Sequence, residues 1–364
     1  MARKVFIAAT GMNCGKTTTS LSLMHRARKK YPRVGFVKPI GPKPIAYNGQ
    51  IVDKDAVLMA RYFNKLDDLH LMSPLVLKQG DTRRILEGEI DRELLIRQMF
   101  DAIAELDAKN DFLIIEGAGH TGVGSVLGCN NARIAKETDS TVLMVTGGGL
   151  GNVVDNAQMN MALFQKEKAR VNAILVNKII PAKREQTLKY LEIAFAAERI
   201  KVIGGFNYQP ILANPTMRRI ADLLDVELRA TEEEAQRIVH TVQIGAASAQ
   251  RVVEILEDST LIVVNVSRDE LLVTLANLYQ LTEYRKKIAG IVIPGLGKIS
   301  TITHKILVSS GVPYMLAGRT SSTVFEMIRD DVSKLTVQDT HKIDLITELA
   351  DEQLDFDTID ALLE

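Results

Sequence analysis

Six unbroken apolar runs, at residues 5–9, 34–37, 112–115, 141–145, 173–176 and 202–206, alternate with amphipathic stretches such as 92–109, 153–165 and 183–198. A strand buried on one face alternates apolar with polar residues. Runs of Val, Ile and Leu without a break belong to strands buried on both faces. Such strands separated by helices predict an α/β fold: a parallel sheet covered by helices on both sides. The rhythm changes at 214–224, read as a helix with Pro215 near its start, and a polar stretch at 229–234 follows. It resumes at 242–244, 261–266, 291–293 and 314–316, each run followed by a helical pattern. We therefore expect two domains, 1–212 and a smaller α/β domain at 213–364, with the tail 342–363 read as two helices inside the second. The length of 364 residues agrees, since one domain takes about 150.

The first apolar run leads into the sequence Thr10-Gly11-Met12-Asn13-Cys14-Gly15-Lys16-Thr17-Thr18 and then into a helical pattern. Strand, glycine turn, helix is the order that builds an anion cradle. Unpaired N–H groups at the helix start point at the anion, and the helix dipole adds partial positive charge. In a P-loop, the lysine at Lys16 reaches the β/γ-phosphates and the hydroxyl at Thr17 takes Mg²⁺. The loop backbone at Gly11, Asn13, Gly15 and Thr18 completes the expected phosphate contacts. The P-loop pattern has glycine where Thr10 stands, and Gly11 comes one place late.

Charge and composition restrict the partners. The 45 basic and 45 acidic residues balance, so nothing in the net charge favours nucleic acid or an anionic membrane. No apolar run reaches the ~18 residues of a membrane span, and the N-terminus has no signal-peptide pattern. Cys14 and Cys129 are too few for a disulfide framework. The expected location is the cytoplasm. Cys14 reads as a small loop filler, and the six histidines show no metal-ligand spacing.

A P-loop needs acidic partners. Glu116 directly follows the run 112–115, which puts it at the C-terminal end of a strand, where parallel sheets bind ligands. It can hold Mg²⁺ directly or through water. Gly117, Gly119 and Gly122 let the backbone after it approach a ligand. Lys38 ends the second run, and that strand is a neighbour of the first in a doubly wound order. Two lysines at one strand-end rim suit a polyanion. Asp55 opens a helix, where an acid complements the dipole. His120 reads as a hydrogen-bonded filler, and the Arg319–Thr323 stretch as a helix cap.

Together these pieces resemble the dethiobiotin synthetase family and its relatives, the P-loop ATPases that include cobyrinic acid a,c-diamide synthase. The resemblance rests on Gly15-Lys16-Thr17, Lys38-Pro39, Asp55-Ala56, Glu116-Gly117-Ala118-Gly119 and Asn177, in family order over residues 1 to about 210. It implies a P-loop NTPase domain with ATP and Mg²⁺ as cofactors. Lys16 and Lys38 would contact the transferring phosphate, Thr17, Asp55 and Glu116 would hold Mg²⁺, and Asn177 would hydrogen-bond adenine. ATP would then bind better than GTP. The family's Asp-Thr pair is replaced here by Gly11-Met12, and its substrate-side serine by Pro42. The nucleotide half is retained and the diamino-acid half is not, so dethiobiotin synthesis is not expected.

Residues 225 to about 330 resemble the DRTGG domain, through 242–248, 261–266 and 288–295. The family's Asp-Arg appears as Ser267-Arg268, and its Thr-Gly-Gly as Pro294-Gly295-Leu296. This order of domains is similar to the N-terminal region of long-form bacterial phosphotransacetylases, without their acetyltransferase domain. Two functions follow. One is a nucleotide-responsive regulatory protein of acetyl-phosphate metabolism, acting on a partner enzyme. The alternative is an ATP-dependent ligase that phosphorylates a carboxylate or carbamate of an unknown small molecule. The missing Asp-Thr pair and the second domain lean toward regulation. Glutamine amidotransfer is not expected, since no cysteine follows Cys129. Acetyltransfer is not expected either, and domains of this family commonly pair as homodimers.

Overall fold

The computed structural model describes residues 1–330, 335–337 and 339–363. These form two compact units, one of Met1–Tyr208 with Leu335–Glu364 and one of Gln209–Lys334.

In the first unit β1 (Arg3–Ala9) passes through a loop into α1 (Lys16–Ala27). Then come β2 (Val34–Val37), α2 (Lys54–Tyr62), α3 (Arg92–Lys109), β3 (Phe112–Glu116), α4 (Asn131–Glu137), β4 (Thr141–Gly147), α5 (Leu150–Lys166), β5 (Val171–Asn177), α6 (Arg184–Ala194) and β6 (Lys201–Gly204). The six strands make one parallel sheet in the order β6-β5-β4-β1-β3-β2, as the unbroken apolar runs require. On one face Phe6, Ala8, Leu113, Ile115 and Met144 pack with Met99, Ile103 and Leu106 of α3, Ile134 of α4, and Val153 and Phe164 of α5. Each of these side chains except that of Ala8 contributes about 1.5–3 kcal/mol by leaving water. The chain goes from β1 to one side for β2 and β3, then to the other for β4 to β6. This reversal beside β1 leaves a crevice at the C-terminal strand ends, where open parallel sheets bind ligands.

The second unit starts its core with α7 (Met217–Leu224) and β7 (Leu228–Arg229). It continues through β8 (Thr241–Ile244), α8 (Ala249–Glu254), β9 (Thr260–Val263), α9 (Asp269–Tyr279), α10 (Thr282–Lys287), β10 (Ile288–Pro294), α11 (Thr301–Ser310), β11 (Tyr314–Ala317) and α12 (Ser321–Asp330). Strands β8, β9, β10 and β11 are parallel and sit in chain order, with β7 antiparallel at the far edge. Val252, Leu271, Leu275 and Leu307 cover one face, over Ile262, Ile291 and Ile293. Met217, Ile220, Val324 and Ile328 cover the other, over Leu261, Val263, Val292 and Met315. Because the strand order never reverses, this sheet has no switch-point crevice.

The tail corrects the expected division. The units part after Tyr208 rather than after residue 212, and the C-terminal helices belong to the first unit, not the second. The helices α13 (Thr340–Gln353) and α14 (Phe356–Ala361) lie against α1. Asp351 accepts hydrogen bonds from His25 at 3.1 Å and from Lys29 at 2.5 Å. The Asp360 side chain, 3% exposed, takes bonds from Lys30 at 2.5 Å and Tyr31 at 2.7 Å. Phe356 meets Phe112 with ring centroids 5.9 Å apart. The basic end of α1 is therefore the tail's electrostatic partner, a pairing between residues more than 300 positions apart. Local pattern reads the two helices but not their address. Among the described residues, no helix is long and apolar enough to cross a membrane.

Candidate functional site

The loop after β1 is tied at its start and its end. Thr10 N–H donates to Val145 O at 3.1 Å, and the Thr10 hydroxyl to Thr146 Oγ1 at 3.2 Å. Gly15 caps α1 at φ 100°, in the left-handed region, and a Cβ there would stand 2.1 Å from Asn177 Nδ2. Only glycine fits both demands. Asn13 also has positive φ, 62°, which asparagine tolerates best among residues with a Cβ. No side chain caps α1, so its first N–H groups remain open to an anion. Gly11, Thr17 and Thr18 are half-buried and Asn13 is exposed, so the loop lies open to a ligand.

Lys16 is folded onto this loop. Its Nζ donates to Gly119 O at 2.6 Å and to Gly11 O at 3.4 Å. Gly119, at φ 52°, turns that carbonyl toward it. Burial, with the Lys38 charge nearby, lowers the Lys16 ammonium from 10.5 to about 8.

Lys38, Asp55 and Glu116 meet in the interior. The Lys38 Nζ is 2.5 Å from Glu116 Oε1 and 3.0 Å from Asp55 Oδ2, with the three side chains 3%, 0% and 6% exposed. Thr17 Oγ1 donates to the same Glu116 oxygen at 3.2 Å. Burial opposes the charge on Lys38, and the carboxylates of Glu116 and Asp55 more than offset it, so the lysine is held well above its ordinary range. Burial likewise works against ionised Asp55, but Lys38 and Lys43 hold it below the usual carboxylate value. Asp53 caps α2 through Asp55 N–H, and burial beside Asp55 pushes its carboxyl up to about 6.

The structure thus brings Lys16, Thr17, Lys38, Asp55 and Glu116 to one end of β1, β2 and β3. It gives Lys38 a neighbour that the sequence did not suggest: the ammonium stands between the two carboxylates expected to take Mg²⁺. Asn177 is buried against the loop from below. Its Nδ2 donates to Cys14 O at 3.1 Å and its Oδ1 accepts from Lys178 N–H at 2.9 Å. One N–H and one lone pair of that amide remain.

The donors present fit a hard divalent cation. Glu116 Oε2 is buried with no hydrogen-bond partner, and the Thr17 hydroxyl lies beside Oε1. Among the described residues no three or more His, Cys, Asp or Glu side chains gather as a metal cage. Such a site would depend on ligand phosphates and water for its remaining contacts, as Mg²⁺ sites commonly do.

Two asparagines escaped sequence reasoning. Asn131 of α4 accepts from Ala118 N–H at 3.2 Å and donates to the carbonyls of Ala118 and His120, both at 2.7 Å. Asn160 of α5 accepts from Thr121 N–H at 3.2 Å and donates to Thr10 O at 3.1 Å. Together they fix the loop after Glu116 and tie it to the loop after β1. The signal for Asn160 was there: it shares the buried stripe of Val153, Ala157 and Phe164.

A glycine loop between a central parallel strand and a helix, with lysine and threonine at the helix start, defines a P-loop protein. A family profile described as an AAA domain matches residues 3–216, and the chain belongs to that family. It is 24% identical to the phosphate acetyltransferase of Pseudomonas aeruginosa over 97% of this chain and 51% of that protein. The Pseudomonas putida phosphate acetyltransferase is also 24% identical, over 74% of this chain and 39% of its own length. The ATP-dependent dethiobiotin synthetase of Idiomarina loihiensis is 27% identical over 44% of this chain and 73% of that enzyme. The chain spans about half or less of the acetyltransferases it matches. A solved structure of the CBS and DRTGG domains of the Clostridium perfringens pyrophosphatase regulatory region covers 46% of this chain and 74% of that one. At 13% identity and a TM-score of 0.28 it carries no argument.

Proposed function

We propose that the first unit binds Mg-ATP at the loop after β1, and that the chain is a nucleotide-responsive regulatory protein related to the N-terminal region of phosphate acetyltransferases. The observation that carries this reading is the convergence of Lys16, Thr17, Lys38, Asp55 and Glu116 on one crevice. The open N–H groups of α1 and the Lys16 ammonium take the phosphates. Thr17, Asp55 and Glu116 hold Mg²⁺, which would neutralise phosphate charge when bound. Asn177 braces the loop under the nucleotide and offers its remaining N–H and lone pair to the adenine edge. Lys38 and Lys16 supply positive charge to the terminal phosphate.

Regulation rather than turnover is supported by Gly11 and Met12. They stand where the dethiobiotin synthetase loop carries Asp-Thr, and Met12 is 67% exposed with no polar group to offer a second substrate. The similarity to acetyltransferases over nearly the whole chain supports an acetyl-phosphate setting; a cytoplasmic partner enzyme and a homodimeric chain complete the proposal. Ligase chemistry on a carboxylate or carbamate is the second reading, supported by the pair of lysines at the phosphate end. Calorimetric ATP titration combined with a phosphate-release assay decides between them. Tight binding with no release, even with candidate carboxylates or diamines present, is the expected result. Small-molecule-stimulated release overturns the regulatory reading. Light scattering at twice the chain mass is expected for the dimer, and a monomer refutes it.

A further inference from the structure

The charges around Lys38 do not balance as a resting ion pair would. In direct contact one ammonium faces two buried carboxylates, with Lys16 adding its charge from farther off, and one oxygen of Glu116 is left with no partner. Lys43 approaches Asp55 only at 3.9 Å and is 30% exposed, so it serves the edge of the cluster, not its interior. A buried anion without compensation is costly, so the ammonium is held firmly where it is. Yet it engages the same two carboxylates that would hold a divalent cation. We propose that Lys38 is the resident counter-ion of this pair: it excludes divalent cations from the nucleotide-free protein and leaves the carboxylates only when a phosphate arrives to take its charge.

The chemistry of the side chain suits an exchange. Lysine carries a point charge on a flexible four-carbon stem with three rotatable donors, whereas arginine's planar fork would be fixed to one partner. The backbone at Lys38 is anchored, its N–H donating to Met72 O at 2.8 Å with Pro39 following, so only the stem need move. A divalent cation matches the two carboxylates, of which the ammonium in contact with them neutralises one. The released ammonium then meets the charge that phosphate brings. Metal and nucleotide therefore enter together, and each alone is disfavoured. Two states with different ligand affinity are what a nucleotide sensor requires.

This rests on the Mg-ATP reading, and its test separates the two. The probe is Mn²⁺ alone, followed by the electron paramagnetic resonance of the free ion, added to the nucleotide-free full chain. The native protein is expected to show no saturable site. Lys38→Met is expected to gain one, roughly tenfold or more tighter than any native binding, and Lys38→Met/Glu116→Gln to lose it. Stoichiometric Mn²⁺ binding by the native chain, or none by folded Lys38→Met, overturns the proposal. Removing a buried charge can unfold a protein, so a second readout uses the native chain. The Lys38 ammonium signal in ¹⁵N NMR, identified by its loss in Lys38→Arg, is expected to stay put with Mg²⁺ alone and to shift with Mg²⁺ plus a non-hydrolysable ATP analogue. A shift with Mg²⁺ alone, or no shift in nucleotide-saturated protein, overturns it. Should ATP fail to bind at all, the Mn²⁺ arms still decide what Lys38 does.

Discussion

At the scale of single residues, the site is a set of charges held ready by hydrogen bonds. Lys16 is depressed to about 8 because it is buried near Lys38. A bound phosphate favours the charged form and raises that value again, so binding above pH 8 takes up a proton. ATP affinity should therefore fall as pH rises from 7 to 9.5, and calorimetry in buffers of different ionisation enthalpy should detect the proton. Lys16→Arg, always charged, should flatten the profile. An unchanged affinity for the native chain would mean that Lys16 does not meet the phosphate. Asn160 spans Thr10 O and Thr121 N–H in the interior. Asn160→Ala leaves both unsatisfied, at a cost of about 1–3 kcal/mol each at most. We expect urea denaturation to report a loss in that range and ATP affinity to drop with it. The sequence showed Lys16, Thr17, Lys38 and Glu116 as candidates because each sits at a strand end or helix start, and Asp55 through the family resemblance. It did not show that Lys38 lies between Asp55 and Glu116, since pairing across 17 and 78 residues depends on the sheet order.

At the scale of elements, α1 links the phosphate loop to the tail. Its first turn faces the crevice, and its last turn, with His25 and Arg26, and the turn after it, with Lys29 and Lys30, meet Asp351 and Asp360. Burial works against ionised Asp360, but hydrogen bonds from Lys30 and Tyr31 hold its carboxyl below the usual range. A carboxyl lowered in the folded state adds stability above its unfolded value, and loses it as pH falls through the folded value. Asp360→Asn should therefore destabilise the native chain at pH 7 and by less at pH 3, both read by thermal melting. A single buried, hydrogen-bonded carboxylate is worth about 2 kcal/mol at neutral pH. Equal losses at both pH values would refute the electrostatic account. The helix over 92–109 was legible in the sequence to the residue, and the two tail helices were legible as a pair within 342–363 though not in their bounds, because local periodicity carries them. The tail's place on α1 was not, because it rests on ion pairs made after a whole second unit has intervened.

At the scale of the whole molecule, the chain leaves the first unit after Tyr208 and comes back to it at Leu335. The second unit is thus an insertion with both ends tied to the first. With separate cores on both faces of its sheet, residues 209–334 should fold alone and give a cooperative melt with α/β circular dichroism. Residues 1–208 without the tail should be less stable than the full chain, since Tyr31, Lys30 and Phe112 lose their partners. A tail-less first unit as stable as the full chain would contradict this arrangement. The reversal of strand order beside β1 puts a ligand crevice at the strand ends of the first unit. The central claim is that this crevice is a Mg-ATP site, and calorimetric titration of the full chain with Mg-ATP tests it most directly. The account predicts saturable, one-to-one binding that Lys16→Ala weakens at least about a hundredfold, some 2.7 kcal/mol, in protein that still melts cooperatively. Native protein that does not bind Mg-ATP, or folded Lys16→Ala that binds it equally well, would contradict it.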